Sequence, residues 1–277
     1  MGLKLLAVDL DGTLLRHDGS IHPDDVAAVG RIRAQGVRVT IVTGRLFSGS
    51  REAAQTLALT GPIACVDGSH IVDVCDGRSL YHATLRGDAL GTVREVTTRA
   101  GLASFLFAQD QIAHDAAGKP FAGFVSTWSP MIEEVVCLAD HDGWSHADGI
   151  TACVAIGDEA AVREVRDELA ADLGDDVFLA AFPIPRHPGH ASLLVRAAGP
   201  NKGTAIDFVA RHHGCAASDV AVVGDWVNDL PMFARAGRSF AMGDTVEAVR
   251  LAATDRLVAS AGQGGGVAEA IARIWGA

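Results

Sequence analysis

Leu3–Leu10 is a nearly continuous apolar run that breaks at Asp11-Gly12. It is too short to stand alone as a helix, so it reads as a strand buried on both faces, and such strands belong to parallel sheets. A parallel neighbour requires a crossover, and the sequence supplies one. Pro23 opens a segment with Val26, Val29 and Ile32 at helical spacing, closed by Gly36, before Val37–Val42 repeats the buried-strand pattern. A further helix over about Ser48–Leu59 and a strand at Ile63–Val66, ending in Asp67-Gly68, complete the alternation of a doubly wound α/β sheet.

The C-terminal part repeats this grammar. Expected are helix Lys202–His213, strand Val220–Gly224, helix Leu230–Ala236, strand Ser239–Met242, helix Thr245–Ala253, strand Leu257–Ala259 and a last helix over Val267–Ile274. One Rossmann-like sheet built from both ends of the chain is the economical reading. Between them, about Leu85–Gly189 differs in character. It predicts a helix at Asp88–Arg99, strands near Ser104–Phe107, Glu134–Leu138, Thr151–Ile156 and Val177–Ala181, and a helix over Glu159–Leu173 with Val162, Val165, Leu169 and Leu173 on one stripe. The expected organisation is a core of residues 1–84 and 190–277 carrying an inserted α+β domain at 85–189.

Acidic residues number 34 against 23 Lys and Arg, a formal charge of -11, which repels nucleic acid and anionic membranes. No stretch approaches the roughly 20 apolar residues of a bilayer span, and carboxylates interrupt the N-terminal run before a signal peptide's apolar region develops. Five scattered cysteines (Cys65, Cys75, Cys137, Cys153, Cys215) without a CxxC pair suggest neither a disulfide framework nor a structural zinc site. They read as small core hydrophobes, and a cytoplasmic monomer or homodimer is the expectation.

In open α/β sheets ligands bind beyond the carboxyl ends of the strands. The residues there form a set: Asp9-Leu10-Asp11-Gly12-Thr13, Thr43-Gly44-Arg45, Asp67-Gly68-Ser69, and Gly224-Asp225 followed by Asn228 and Asp229, with Asn201-Lys202-Gly203 opening a helix. A lone Asp at a strand end is ordinarily a turn or helix cap; here several such signals coincide. Asp9, Asp11, Asp225 and Asp229 gathered at one sheet end repel, and a hard divalent cation is the usual resolution, with magnesium suited to a partly hydrated carboxylate site. A lysine and a threonine hydroxyl beside it, with backbone N–H groups freed by Gly12 and Gly44, are what phosphoryl oxygens require. Two aspartates one residue apart can divide the labour of nucleophile and acid.

At these residues the chain resembles the haloacid dehalogenase superfamily of phosphohydrolases, in its Cof-type branch (class IIB, C2 cap). The carriers are DLDGTLL (Asp9–Leu15), VTGR (Val42–Arg45), NKGTAI (Asn201–Ile206), GDWVNDLPMF (Gly224–Phe233) and the ending GGVAEAIARI. The resemblance implies that Asp9 attacks phosphorus to form an aspartyl phosphate and that Asp11 protonates the leaving alcohol and then deprotonates water. Thr43 and Lys202 would hold phosphoryl oxygens, and Arg45 would either reach substrate or tie its motif to the cap. Magnesium would be bound by Asp9, the Asp11 carbonyl and Asp225, with Asn228 and Asp229 shaping the phosphate and metal-water shell.

The implied activity is hydrolysis of a small phosphorylated metabolite, with a sugar phosphate favoured and pyridoxal phosphate or another monoester open, at a site between core and mobile cap. A sugar phosphomutase or phosphotransferase on the same core, and a non-catalytic metabolite-binding regulator, are the alternatives. Three residues depart from the family pattern, Val227 among them, standing where an acidic residue often follows. Trp226 stands where a small or polar residue is usual and reads as packing; Asp67 stands where Asn commonly precedes Gly. His187 and His190 read as part of a solvated proline-rich loop, PRHPGH, and Asp140-His141-Asp142 with His146 and Asp148 as polar turns. His212-His213 suits a helix C-terminus, and Gly262–Gly266 a loop before the last helix.

Overall fold

In the computed structural model, which describes residues 2–184 and 186–276, the first apolar run forms β1 (Leu5–Val8), buried at every position. α1 (Pro23–Ala34) follows, with proline in its first turn and the His22 ring accepting the Asp24 N–H at 3.2 Å. Asp24 and Asp25 begin it and Arg31 and Arg33 end it, each sign placed where the helix dipole favours it. β2 (Arg38–Ile41), α2 (Phe47–Thr56) and β3 (Pro62–Cys65) continue the alternation. β4 (His70–Asp73) and β5 (Ser79–His82) then join β3 in a small sheet that the sequence did not announce, because each is only four residues long and its apolar positions are few.

Next come α3 (Gly87–Arg99), β6 (Ala103–Ala108), β7 (Gln111–His114), α4 (Ala122–Val125), β8 (Ile132–Glu134), β9 (Ala152–Asp158), α5 (Glu159–Leu173), β10 (Val177–Pro183) and β11 (His190–Ala197). The chain closes with α6 (Lys202–His212), β12 (Val220–Gly224), α7 (Leu230–Phe233), β13 (Arg238–Ala241), α8 (Glu247–Ala252), β14 (Asp255–Arg256) and α9 (Gly266–Trp275). Two compact units result. One comprises the residues up to Gly44, Ser50–Tyr81 and those from Pro200 onward; the other comprises Arg45–Gly49 and His82–Gly199.

The first unit holds a five-stranded parallel sheet in the order β14-β13-β12-β1-β2. Leu5, Ala7, Val220 and Val222 pack with Ala205, Ile206 and Val209 of α6. Their alternates Leu6, Val8, Ala221 and Val223 are equally buried, so the sheet is covered on both faces, as a run of unbroken hydrophobicity requires. Strand order reverses at β1, and its register matters most: Val8 lies level with Val223 on one side and Ile41 on the other. The residues that follow these three therefore leave the sheet from the same edge.

The second unit is a six-stranded sheet, β10-β11-β9-β6-β7-β8, antiparallel except for β7 with β8. Residues of α3 and α5, including Val93, Val162, Val165 and Leu169, share a core with Leu106, Cys153, Leu193 and Val195. The sequence placed the end of the insertion at 189, but His190–Ala197 is an interior strand of this second sheet, with Val195 level with Cys153. Arg196 within that run, buried and stacked 4.0 Å over the Phe178 ring, disguised the strand. Two other strand expectations shift. Glu134–Leu138 resolves into β8 and a separate 3-10 turn at Leu138–Asp140, and the expected Leu257–Ala259 strand is replaced by β14 just before it.

Candidate active site

β1, β2, β3 and β12 deliver their polar followers to one place. Asp9, directly after β1, is 5% exposed and accepts from the Lys202 ammonium at 2.6 Å. Lys202 also donates to Asp229 Oδ1 at 2.6 Å, and both partners are essentially inaccessible. Lys202 is held there by the start of α6. Asn201 caps that helix by accepting from the N–H groups of Gly203 and Thr204 at 2.9 and 3.0 Å, while the Thr204 hydroxyl accepts from the Asn201 N–H at 3.0 Å. Gly203 lets this turn lie directly on the first turn of α7: a Cβ there would stand 2.5 Å from the Pro231 carbonyl oxygen.

Asp229 is an anchor. Its Oδ2 accepts the backbone N–H groups of Asp225 and Trp226 at 2.8 and 3.0 Å, closing the loop after β12, while Oδ1 serves Lys202. Thr13 donates to Asp225 Oδ1 at 3.0 Å, and the Thr245 hydroxyl donates to the Asp225 carbonyl. Thr13 and Thr245 were not singled out from sequence. Thr13 was in view within DLDGT, but nothing in spacing pairs it with a residue more than two hundred positions away.

Among the described residues, Asp9, Asp225 and Asp229 offer carboxylate oxygens within 4.8 Å of one another. Asp11 lies outside this trio and is exposed. Thr43 is fully buried; its N–H donates to the Ala64 carbonyl and its carbonyl accepts from the Asp67 N–H, both at 2.9 Å. Gly44 follows at the edge of the first unit, whereas Arg45 groups with the second, where its guanidinium donates to the Gly49 carbonyl at 3.3 Å. Asn228 donates from its amide nitrogen to Asp67 Oδ1 at 3.0 Å.

Burial, and then the charges of Asp229 and Asp225, push the Asp9 carboxyl well above the ordinary carboxylate range. Burial and Asp229 likewise push Asp225 up, to about 6. Burial alone would depress Lys202, but Asp229 and Asp9 outweigh it and hold the ammonium above its ordinary value. Three neighbouring carboxylates thus face one ammonium, and the residual negative charge is one that a cation could offset.

Gly12 shows how closely this site is built. It adopts φ +81°, and a Cβ there would fall 2.3 Å from Asp225 Oδ2. Gly12→Ala is expected to lower kcat/KM roughly a hundredfold and stability by about 1–3 kcal/mol, through left-handed strain and displacement of Asp225. Steady-state kinetics and thermal unfolding check this; unchanged kinetics would show that Asp225 need not keep its place.

The remaining sequence candidates divide. Trp226 is 53% exposed and Val227 beside it 47%, so the expectation that Trp226 is packing does not hold. His190 begins β11, and His187 and His190 lie 4.9 and 5.6 Å from the Phe121 ring, so neither is simply a solvated loop residue; Pro185 of that segment lies outside the described residues. Asp140–His146 forms 3-10 turns, as expected. Cys65 and Cys153 are buried, but Cys75 and Cys137 are exposed. The glycine-rich loop is already filled: Asp25 accepts the N–H groups of Gly265 and Ala268 at 3.0 and 2.7 Å, the position an anion would take at the start of α9.

This geometry is that of a phosphoryl-transfer enzyme on an α/β core, and comparison with known proteins places it. A sequence model of haloacid dehalogenase-like hydrolases matches residues 6–271. The chain belongs to that family, in its Cof-type branch, and is an enzyme of the phosphatase class. It is 26% identical over 267 residues to the 5-amino-6-(5-phospho-D-ribitylamino)uracil phosphatase YbjI of Escherichia coli, covering 92% of this chain and 91% of that one. It is 24% identical over 275 residues to the pyridoxal phosphate phosphatase YbhA of Escherichia coli, covering 90% and 91%. A crystal structure of a haloacid dehalogenase-like hydrolase from Bacteroides thetaiotaomicron superimposes with a TM-score of 0.84 at 24% identity, covering 99% of this chain and all of that one. No helix among the described residues is long and apolar enough to cross a membrane.

Proposed function

We propose that the chain is a magnesium-dependent phosphatase that hydrolyses a small phosphate monoester through an aspartyl-phosphate intermediate. The observation that carries this reading is the Lys202 ammonium, 2.6 Å from both Asp9 and Asp229, at the sheet edge where Asp225 follows β12. Lys202 engages Asp9 Oδ1, and Oδ2 is assigned as the attacking atom. Attack forms the O–P bond as the P–O bond to the leaving group breaks, and Asp11 gives the departing oxygen its proton. Asp11, exposed two residues on, then takes a proton from the water that attacks phosphorus, releasing inorganic phosphate and restoring Asp9. Thr43 and Lys202 steady the phosphoryl oxygens.

The donor set suits a hard cation, being all oxygen, buried at Asp9 and Asp229 and half-buried at Asp225, and short of positive charge. Since Asp229 already accepts from Lys202 and two backbone N–H groups, Asp9 and Asp225 are the carboxylates that would hold the ion. Bound there, it would neutralise charge on the phosphoryl oxygens. Burial and Asp229 push Asp225 up to about 6, and it must lose its proton to ligate, so cation affinity measured by calorimetry is expected to fall as pH drops through about 6.

The exposed indole of Trp226, one residue past Asp225, favours a leaving group with a planar ring over a bare sugar. The relatives named for pyridoxal phosphate and for a phosphoribitylamino-uracil support the same reading.

A panel of ring-bearing and aliphatic phosphate monoesters, each assayed with magnesium and with a chelator, tests this. Expected are phosphate release only with the cation and a preference for ring-bearing esters that weakens in Trp226→Ala. Cation-independent release would refute the metal reading. Formation of a second phosphosugar in place of free phosphate would make the chain a mutase.

A further inference from the structure

Asp67 is an acidic group at the site that the proposed mechanism leaves idle. It is not one of the three carboxylates placed to share a cation, and the Lys202 ammonium donates to Asp9 and Asp229. Yet the backbone that presents it is costly. Val66, Asp67 and Gly68 take φ of +47°, +52° and +96° in succession. A β-branched valine in that region is an outlier, and such strain persists only where the surroundings impose it. Two close contacts do so: the Asp67 N–H donates to the Thr43 carbonyl at 2.9 Å, and Gly68 lies so near Asn201 that a Cβ would stand 2.8 Å from its carbonyl oxygen.

What Asp67 reaches from this position is the Asn228 amide nitrogen, at 3.0 Å and across 161 residues. Deepening the proposed phosphatase reading, on which it rests, we infer that Asp67 is a positioning residue that locks the orientation of the Asn228 amide. The physical basis is donor and acceptor inventory. A carboxylate only accepts, whereas an amide donates at one end and accepts at the other. Against Asp67 the amide stands one way round, nitrogen toward the carboxylate, because the inverted form sets two acceptor oxygens face to face. Its second N–H then remains as a donor for an anionic phosphoryl group; inverted, it would present an oxygen. Asparagine at position 67 satisfies either orientation and abolishes the lock.

Charge alone predicts the opposite sign, which makes the inference testable. Asp67 is a negative charge near Lys202, acting on it in the same direction as Asp229 and Asp9. Removing that charge should tighten an anion if Asp67 acts only through space; loss of the lock should loosen it. The experiment is a double-mutant cycle of Asp67→Asn and Asn228→Ala, read on kcat/KM for the best ester of the panel and, separately, on calorimetric affinity for inorganic phosphate in magnesium. Asn tolerates left-handed φ, so D67N should unfold within about 2 °C of the parent.

Expected is a roughly tenfold loss on both readouts for D67N, and less than twofold further loss when N228A is already present. Tighter phosphate binding in D67N, or the same D67N effect in both backgrounds, overturns the inference. An inactive parent whose phosphate affinity obeys the cycle would refute the phosphatase reading and leave the lock standing. An active parent with an additive cycle would do the reverse.

Discussion

Asp9→Asn is expected to abolish turnover, lowering kcat by about four to six orders of magnitude, while the protein folds as well as its parent or slightly better. The carboxamide occupies the same space at the end of β1 but has no anionic oxygen to attack phosphorus. Its effect on stability has the opposite sign because of the site's charge balance. Asp9, Asp225 and Asp229 share one ammonium, and both Asp9 and Asp225 are held above their ordinary pKa by burial and by their neighbours. Neutralising Asp9 relieves that repulsion and leaves Lys202 paired with Asp229 at 2.6 Å. Rapid-quench measurement of phosphate release and a thermal melt check both halves. Residual hydrolysis within a hundredfold of the parent would remove Asp9 from the role of nucleophile.

Lys202→Met should damage the protein as well as the reaction. The substitution strands two buried carboxylates that now accept from the ammonium, and breaking a buried ion pair from one side costs about 3–5 kcal/mol. At about 2–4 °C per kcal/mol for chains of 150–250 residues, the melting temperature should fall by about 10 °C. The pH dependence has a definite sign. Carboxylates whose folded pKa is raised bind more protons in the folded state, so the penalty grows as pH climbs from the unfolded value near 4 through the folded one. The deficit is therefore smallest near pH 5 and largest at pH 8, where added magnesium should restore part of it by supplying the missing positive charge. A melt unchanged at pH 8 would mean that the ammonium does not hold these carboxylates in place.

The two variants separate chemistry from architecture within one cluster. Asp9, the proposed nucleophile, is costly to the fold. Lys202 serves both, because a single Nζ lies 2.6 Å from the proposed nucleophile and from the residue that closes the loop after β12. Activity and stability should accordingly diverge at position 9 and fall together at position 202.

Much of this was legible in the chain. Local periodicity dictated β1, β2 and β12 and the striped helix α5 of the middle region, because complete burial of a parallel strand leaves no choice but an apolar run, and a helix with one covered face leaves a stripe. The polar residues beyond the strands pointed to phosphoryl chemistry, since Asp9 and Asp225 follow strands that end together and Lys202 opens the helix beside them. What stayed hidden is non-local. β11 contains a buried arginine made tolerable by an aromatic ring from the neighbouring strand, a compensation that no local pattern encodes. Trp226 read as packing because a large apolar side chain ordinarily seeks burial, and only the path of the chain reveals that it is exposed.

The sequence by itself determined the types of element, the candidate reacting groups and the excess of negative charge that a cation could offset, because propensity, burial pattern and formal charge are properties of residues. Tertiary structure alone decided which atoms meet. Strand register levelled Val8 with Val223, α6 set Lys202 between two carboxylates, and a left-handed turn brought Asp67 to Asn228. Such pairings depend on distances across the fold, which a linear order of residues does not specify.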